Sequence, residues 1–345
     1  MMIYSAFIGF GKSATRYHLP YVLARKETFC VKRIYDLHRD PQREGADIYR
    51  HIDFTSQLAD ILNDPQITLV TICTHPDSHF DYARLCLEHG KNVLVEKPFT
   101  TTLEEARILY ALAREKGLLV TPFQNRRFDS CFLTMKQAID SGKLGDIIEV
   151  ESHFDYFRPE AERRPGGAFD GALYGLGVHT LDQMIALFGR PEQVFYHLRH
   201  LRQPQNPDDT FEVQLLYPQM KAIIKTSHLV KTPYPKFIVH GTRGSFTRYQ
   251  IDQQETSLKD GVMPGDPRFA AEEALALLEY VDERGIWFRE DRVSVKGDYG
   301  RVYDAIFATI TSGAANYVSE AQALTNLEIL ESAFHQPSPA LITLA

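Results

Sequence analysis

Residues 6–20 read AFIGFGKSATRYHLP, and the kind of phosphate loop written there decides the fold. Gly9, Gly11, Lys12 and Ser13 imitate the end of a P-loop, in which backbone amides cradle phosphates and a lysine reaches the terminal ones. That motif needs a glycine five positions before Gly11. The place is taken by Ala6, in an apolar run with Phe7 and Ile8, so the P-loop reading fails. The other candidate is the fingerprint G-x-G-x-x-G/A, filled by Gly9, Gly11 and Ala14. Ile3 to Ile8 is short, apolar and aromatic, as a strand would be, and Ser13 onward lacks glycine or proline until Pro20, so it can open a helix. The order has a physical reason. Gly9 permits a tight turn, and Gly11 lets the backbone approach a pyrophosphate resting on the helix N-terminus. Taken alone, the same residues are equally a glycine-rich turn between a strand and a helix.

The rest of the chain supplies the context. At 345 residues, 44% hydrophobic and 24% charged, it is long enough for two cores. A net charge of -7 with no dense Lys/Arg block gives no general attraction for nucleic acid, so small soluble ligands are the expected partners. Cys30, Cys73, Cys86 and Cys131 lie far apart without a C-x-x-C, the pattern of buried thiols in a reducing cytoplasm. No basic flank with an apolar h-region opens the chain and no apolar stretch approaches a membrane span, so a cytoplasmic protein with no membrane partner is expected.

Over the first 124 residues strand-like and helix-like segments alternate. Strands are expected at Phe29 to Tyr35, Ile67 to Cys73, Asn92 to Glu96 and Leu118 to Phe123, and helices at Thr55 to Asn63, Ser78 to His89 and Leu103 to Lys116. Such alternation implies βαβ units and a parallel sheet, which is the setting the fingerprint needs. From residue 125 to 345 the pattern changes to long strands with short turns: Ile147 to Phe157, Gln193 to Leu201, Phe211 to Tyr217, Ala222 to Leu229 and Phe237 to Tyr249. An antiparallel sheet in a second domain follows. Helices are expected at Cys131 to Ser141, Leu181 to Phe188, Tyr299 to Thr311 and Ala321 to His335.

Four places can carry chemistry. Asp36 ends the second strand, where a carboxylate would accept hydrogen bonds from the adenosine ribose of NAD and repel a 2′-phosphate, although Arg39 nearby leaves NADP open. In NVLVEKPFT, Pro98 keeps Lys97 out of a helix and leaves it at the C-terminal edge of the parallel sheet, where ligands of such sheets bind. A lysine there can donate to a substrate oxygen; most lysines at strand ends are merely solvated. His179 opens an amphipathic helix with Asp182 three positions on, a pairing suited to a general base or, equally, to plain packing. His75 and His79 have metal-ligand spacing, but no third ligand is evident and Pro76 marks a helix start, so no metal is expected.

The ordered set GFGKSA, CTHPDSH, VEKP, QNRRFD and GVHTLD resembles the Gfo/Idh/MocA family of oxidoreductases, which includes glucose-fructose oxidoreductase and inositol dehydrogenase, and within it an enterobacterial branch. The resemblance covers essentially the whole chain. It implies an α/β protein with an N-terminal Rossmann domain, a doubly wound parallel sheet, and a C-terminal α/β domain with a large, mostly antiparallel sheet often used to form dimers or larger homo-oligomers. It implies NAD(P)-dependent hydride transfer at a hydroxyl carbon of a sugar, polyol or sugar derivative. By motif position Lys97 and His179 are the catalytic pair. The resemblance puts Gly9, Phe10, Gly11, Lys12, Ser13, Asp36, Thr74, His75, His79, Glu96 and Asn125 at the cofactor; Arg126, Arg127, Tyr156 and Arg158 are candidate substrate contacts, the alternative being that the arginines simply pair with Asp129 or Asp155. Family members with a D-x-x-x-H signature carry an aspartate four residues before the histidine. Here that residue is Gly175, with Tyr174 and Asp182 as the accessory groups able to replace it. A dinucleotide-binding sensor without turnover is the rival reading.

Overall fold

Ile3–Ile8 forms strand β1, whose Phe7 and Ile8 are fully buried, and Gly9 follows it directly. In the computed structural model, which describes residues 1–160, 166–273 and 275–344, β1 joins β2 (Phe29–Tyr35), β3 (Asp53–Thr55), β4 (Ile67–Ile72), β5 (Asn92–Val95) and β6 (Val120–Pro122). All pair in parallel, in the order β3-β2-β1-β4-β5-β6. Central strands of such sheets read as continuous apolar runs because both faces are covered, and Val93, Leu94 and Val95 are fully buried. Strand order reverses between β1 and β4. That switch point is where doubly wound sheets open a crevice for ligands.

The helices of this unit follow from their ends. Thr102 caps Leu103–Lys116 by accepting the Glu105 N–H at 3.2 Å, the Glu105 carboxylate returns to the Thr102 N–H, and Gly117 closes the helix in the left-handed region at φ 65. Such a reciprocal cap contributes about 1 kcal/mol. After the glycine loop, residues 12–23 are helical with a π turn at Ala14–His18. The segment expected as one helix from Thr55 is instead the end of β3 followed by the short helix Ala59–Leu62, because Thr55 pairs with Tyr35 in the sheet.

The chain divides into two compact units that interleave in sequence: Met1–Asn125, Glu255–Phe269 and Tyr299–Leu327 form the first, and Arg126–Gln254, Ala270–Asp298 and the chain from Glu328 form the second. Tyr299 and Tyr303 of the first unit, both buried, pack edge or tilted against Tyr21 and Phe29.

The second unit is built on a nine-stranded sheet of β7 (Ile147–His153), β8 (Gln193–Arg199), β9 (Thr210–Leu216), β10 (Lys221–Ser227), β11 (Phe237–Gly241), β12 (Gly244–Arg248), β13 (Leu275–Val281), β14 (Trp287–Val293) and β15 (Ala340–Thr343). The order is β14-β13-β12-β11-β7-β10-β9-β8-β15, antiparallel except for the β7–β10 pair. One face carries Val150, Val213, Ile224, Val239 and Phe246 into a core with Met135, Leu181 and Met184 from the helices Ser130–Asp140 and Val178–Phe188.

Phe237 to Tyr249, expected as one strand, is a hairpin. His240 pairs with Ser245, and the Thr242 N–H turns away to the Asp146 carbonyl. The buried positions change parity across the turn, from Phe237 and Val239 to Phe246 and Arg248, so one continuous strand would put the two halves on opposite faces. β13 and β14 lie outside the expected strands, since WFREDRV of β14 carries four consecutive charged residues, Arg289 to Arg292, on an edge strand. Among the described residues no helix is long and apolar enough to cross a membrane.

Candidate active site

Gly9 has φ +97, and a Cβ there would meet the Cys73 carbonyl oxygen at 2.7 Å, so only glycine lets the loop cross the end of β4. Gly11 differs: a Cβ would meet nothing within 4 Å, and Gly11 and Lys12 are exposed at the start of the helix. Open space beside helix N-terminal amides suits a pyrophosphate. Phe10 buries its ring edge-on to Tyr49 and Phe54 and donates its N–H to Asp36 Oδ2 at 2.7 Å, while the His38 N–H reaches Asp36 Oδ1 at 2.8 Å. Each carboxylate oxygen keeps a further lone pair, so Asp36 can still accept ribose hydroxyls. Arg39 is gripped by Glu44 at 2.7 and 2.6 Å, a hydrogen bond that holds the Glu44 carboxyl below its ordinary value. Arg43 donates to the Phe10 carbonyl at 3.0 Å and lies over the Phe10 ring. These residues fit a dinucleotide.

Beyond β4, Thr74 accepts the Ser78 hydroxyl at 2.8 Å, and His75 is exposed beside Asp77. His79 is fully buried, with Nδ1 at 2.8 Å from the Pro98 carbonyl and Nε2 at 3.1 Å from that of Thr74. It therefore ties the chain after β4 to the chain after β5, and burial lowers its pKa. Asn125 is buried at the start of a 3₁₀ turn. Lys97 is half-buried just past β5, and its peptide to Pro98 is cis. The buried Glu96 accepts the Lys97 N–H at 2.9 Å through Oε2 and faces His18 Nε2 at 3.1 Å through Oε1; His18 Nδ1 meets the Tyr303 hydroxyl at 2.8 Å. Sequence reading did not find His18 or Tyr303. Their contact spans 285 positions, and no local pattern marks it.

In the second unit, residues 172–188 are helical with a π turn at Leu173–Gly177 immediately before His179; such bulges recur at functional sites. His179 is 7% exposed. Asp182 does not turn to it: both carboxylate oxygens accept from Arg127, at 2.7 and 2.8 Å, in a buried bidentate pair. Arg127 is thereby a structural cation and Asp182 its partner. Tyr174 stacks on Phe334, and burial pushes its phenol up to about 12, so it is a poor proton carrier at neutral pH. Gly175 has open space where a side chain would start. Arg126 lies 3.5 Å from Asp129 and over the Phe154 ring, and Arg158 covers the Tyr156 ring at 3.9 Å.

The family model for the NAD-binding Rossmann fold of an oxidoreductase family matches residues 3–124, and that for the family's C-terminal alpha/beta domain matches 136–339. The chain is 64% identical over the full length of both proteins to the uncharacterized oxidoreductase YhhX of Escherichia coli. It is 32% identical to scyllo-inositol 2-dehydrogenase (NADP(+)) IolW of Bacillus subtilis, covering 94% of this chain and 91% of that protein. The crystal structure of an oxidoreductase from Bacillus cereus superposes with a TM-score of 0.97 at 45% identity, over 100% of this chain and 99% of that one. The first unit thus carries an NAD-binding Rossmann domain, and the chain belongs to the Gfo/Idh/MocA family of oxidoreductases.

Proposed function

We propose that the protein is an NAD(P)-dependent dehydrogenase acting at a hydroxyl-bearing carbon of a sugar, polyol or sugar derivative. The observation that carries this reading is Lys97, which follows β5 in the same sheet whose β1 ends in the glycine loop, with the buried Glu96 carboxylate on its own amide. From there Lys97 donates to the substrate oxygen and stabilises charge developing on it. His179 takes the hydroxyl proton in the oxidative direction. Arg126, Tyr156 and Arg158 supply further contacts to substrate hydroxyls. Gly9, Gly11, Lys12 and Ser13 hold the pyrophosphate of the cofactor, Asp36 its ribose, and Thr74, His75 and Asn125 the remainder. When bound, the nicotinamide ring supplies the hydride chemistry. The relative named for scyllo-inositol favours cyclic polyols as the first substrates to try.

A panel of inositols, aldoses and sugar acids with NAD⁺ and with NADP⁺, followed by absorbance of the reduced cofactor, tests the proposal. Turnover of at least one polyol or sugar is expected. Tight calorimetric binding of a cofactor with no turnover across the panel would instead favour a dinucleotide-binding sensor, the reading to which the side-chain-free Gly175 lends support. A cytoplasmic homo-oligomer belongs to the same proposal: Glu151, Glu212 and Lys225 on the second face of the large sheet are only half-buried in the single chain, and light scattering giving a monomer mass would remove that part.

A further inference from the structure

We propose that His18 and Tyr303 are positioning residues for Lys97: the hydrogen-bonded line Tyr303–His18–Glu96 inside the first unit holds the Glu96 carboxylate on the Lys97 N–H, fixing both the strand end that carries Lys97 and the negative charge beside it. This goes beyond the functional reading above and rests on it only for the consequence to catalysis.

The line begins with a carboxylate that needs partners. Glu96 is 6% exposed, and a buried carboxylate persists only where hydrogen bonds and charges replace its water. Its partners are His18 Nε2 at 3.1 Å and the Lys97 N–H at 2.9 Å. Burial pushes the Glu96 carboxyl up, but the His18 hydrogen bond together with the Lys97 charge and N–H holds it below the usual carboxylate value. The ionised form is therefore the one this pocket selects.

His18 is fully buried and its ring cannot turn freely. It lies tilted on Phe123 with centroids 3.8 Å apart and edge-on to Phe7 at 6.0 Å. Tyr303, also fully buried, meets the other nitrogen, its hydroxyl 2.8 Å from Nδ1, and burial drives the phenol well above its ordinary pKa, so the hydroxyl stays protonated. Because the ionised Glu96 carboxylate can only accept, Nε2 carries a proton toward it, and a neutral ring is then left to accept the Tyr303 hydroxyl at Nδ1. Cys73, His79, Lys97 and Tyr317 are the other titratable groups within electrostatic reach of this line. The two ends come from different parts of the chain. His18 belongs to the helix after the glycine loop, and Tyr303 to the helix Arg301–Ser312.

The test uses the full-length protein without cofactor, so that it does not depend on an identified substrate. In ¹⁵N-histidine-labelled protein, His18, assigned by its loss in His18→Gln, is expected to show the Nε2–H tautomer when neutral, and Tyr303→Phe is expected to mix the tautomers. A neutral His18 with its proton on Nδ1 overturns the proposal, and this reading needs no variant to fold beyond the assignment. Lysine-labelled protein gives the second arm, with Lys97 assigned through Lys97→Arg. His18→Leu is expected to move the Lys97 titration to lower pH by about a unit, the effect of weakening one adjacent opposite charge. His18→Gln, whose amide nitrogen can still reach Glu96, is expected to leave it nearly in place. Equal titration in His18→Leu and the parent, or the same shift in His18→Gln as in His18→Leu, overturns the proposal by showing that only ring packing matters. The catalytic role of Lys97 is tested separately by turnover of Lys97→Ala. Normal turnover there would defeat the functional reading while leaving the hydrogen-bonded line intact.

Discussion

Asp36 already serves the protein before any cofactor arrives, since it accepts the Phe10 and His38 amides, and this fixes its carboxylate where the function proposed above puts the cofactor ribose. A 2′-phosphate would meet that charge directly, so NAD(H) is expected to bind more tightly than NADP(H), and Asp36→Ala to narrow the gap. Arg39 is the residue able to oppose this preference, but Glu44 holds its fork. Glu44→Gln is therefore expected to raise NADP(H) affinity several-fold, with the gain shrinking at high salt because the pair is exposed. Calorimetric titration with both cofactors decides; a preference of the unmodified protein for NADP(H) would sink the assignment. For His179 the expected signature is a fall of kcat/KM on the acid side as the imidazole protonates, with His179→Ala lowering the rate roughly 10² to 10⁴-fold and removing that limb. An alanine variant keeping both rate and limb would make His179 structural. Gly9, Asp36 and Lys97 could be read from the sequence because short spacings and strand ends mark them. His18 could not, for in the run YHLP it is one more helical histidine, and only the fold brings Tyr303 to it.

The helix that carries His179 enters through the π turn Leu173–Gly177, and the amide of Leu173 is taken at 2.8 Å by Asp208, from the loop before β9. Burial pushes the Asp208 carboxyl up to about 6, against the pull of that amide and of His200. The native chain thus keeps a proton that the unfolded chain releases near pH 4. Between about pH 4 and pH 6 the native state binds more protons than the unfolded one, so stability falls as pH rises through this window, by up to about 3 kcal/mol. Asp208→Asn keeps an acceptor for the Leu173 N–H and removes the titration. Its stability relative to the parent is expected to improve from pH 4 to pH 7 by about that amount, measured by denaturant unfolding at each pH. A pH-independent difference would show that Asp208 is not protonated in the native state. Sequence periodicity located this helix only from Leu181 on, because Gly175 and Gly177 interrupt the apolar pattern where the π turn lies. The β11–β12 turn is marked by Gly241 and Gly244 and by the change of parity from Val239 to Phe246, signals that a single strand over 237–249 overlooks.

At the scale of the molecule, the expected division at residue 124 follows chain order, whereas the compact units do not. The alternating strands and helices before Asn125 made the parallel sheet legible, but nothing in residues 299–327 announces that they belong to the same unit. Tyr299, Val302, Tyr303, Ile306, Val318, Ala323 and Leu327 are all buried there. Val318, Ala323 and Leu327 join the core that contains Ile8, Val70, Val95 and Leu109. Full burial of a large apolar side chain contributes about 1.5–3 kcal/mol, so this returning segment supplies on the order of 10 kcal/mol, as much as the whole net stability of an ordinary domain, about 5–15 kcal/mol. It also supplies the hydroxyl on His18. A fragment ending at Asn125 therefore keeps every residue of the dinucleotide fingerprint and still lacks the means to hold them. We expect fragment 1–125 to show no cooperative thermal transition and no calorimetric binding of NAD(H), under conditions where the full chain shows both. Cooperative melting of the fragment with cofactor affinity close to that of the full chain would show that the returning segment is an accessory to a self-sufficient sheet, and would return the boundary to the place that chain order suggests.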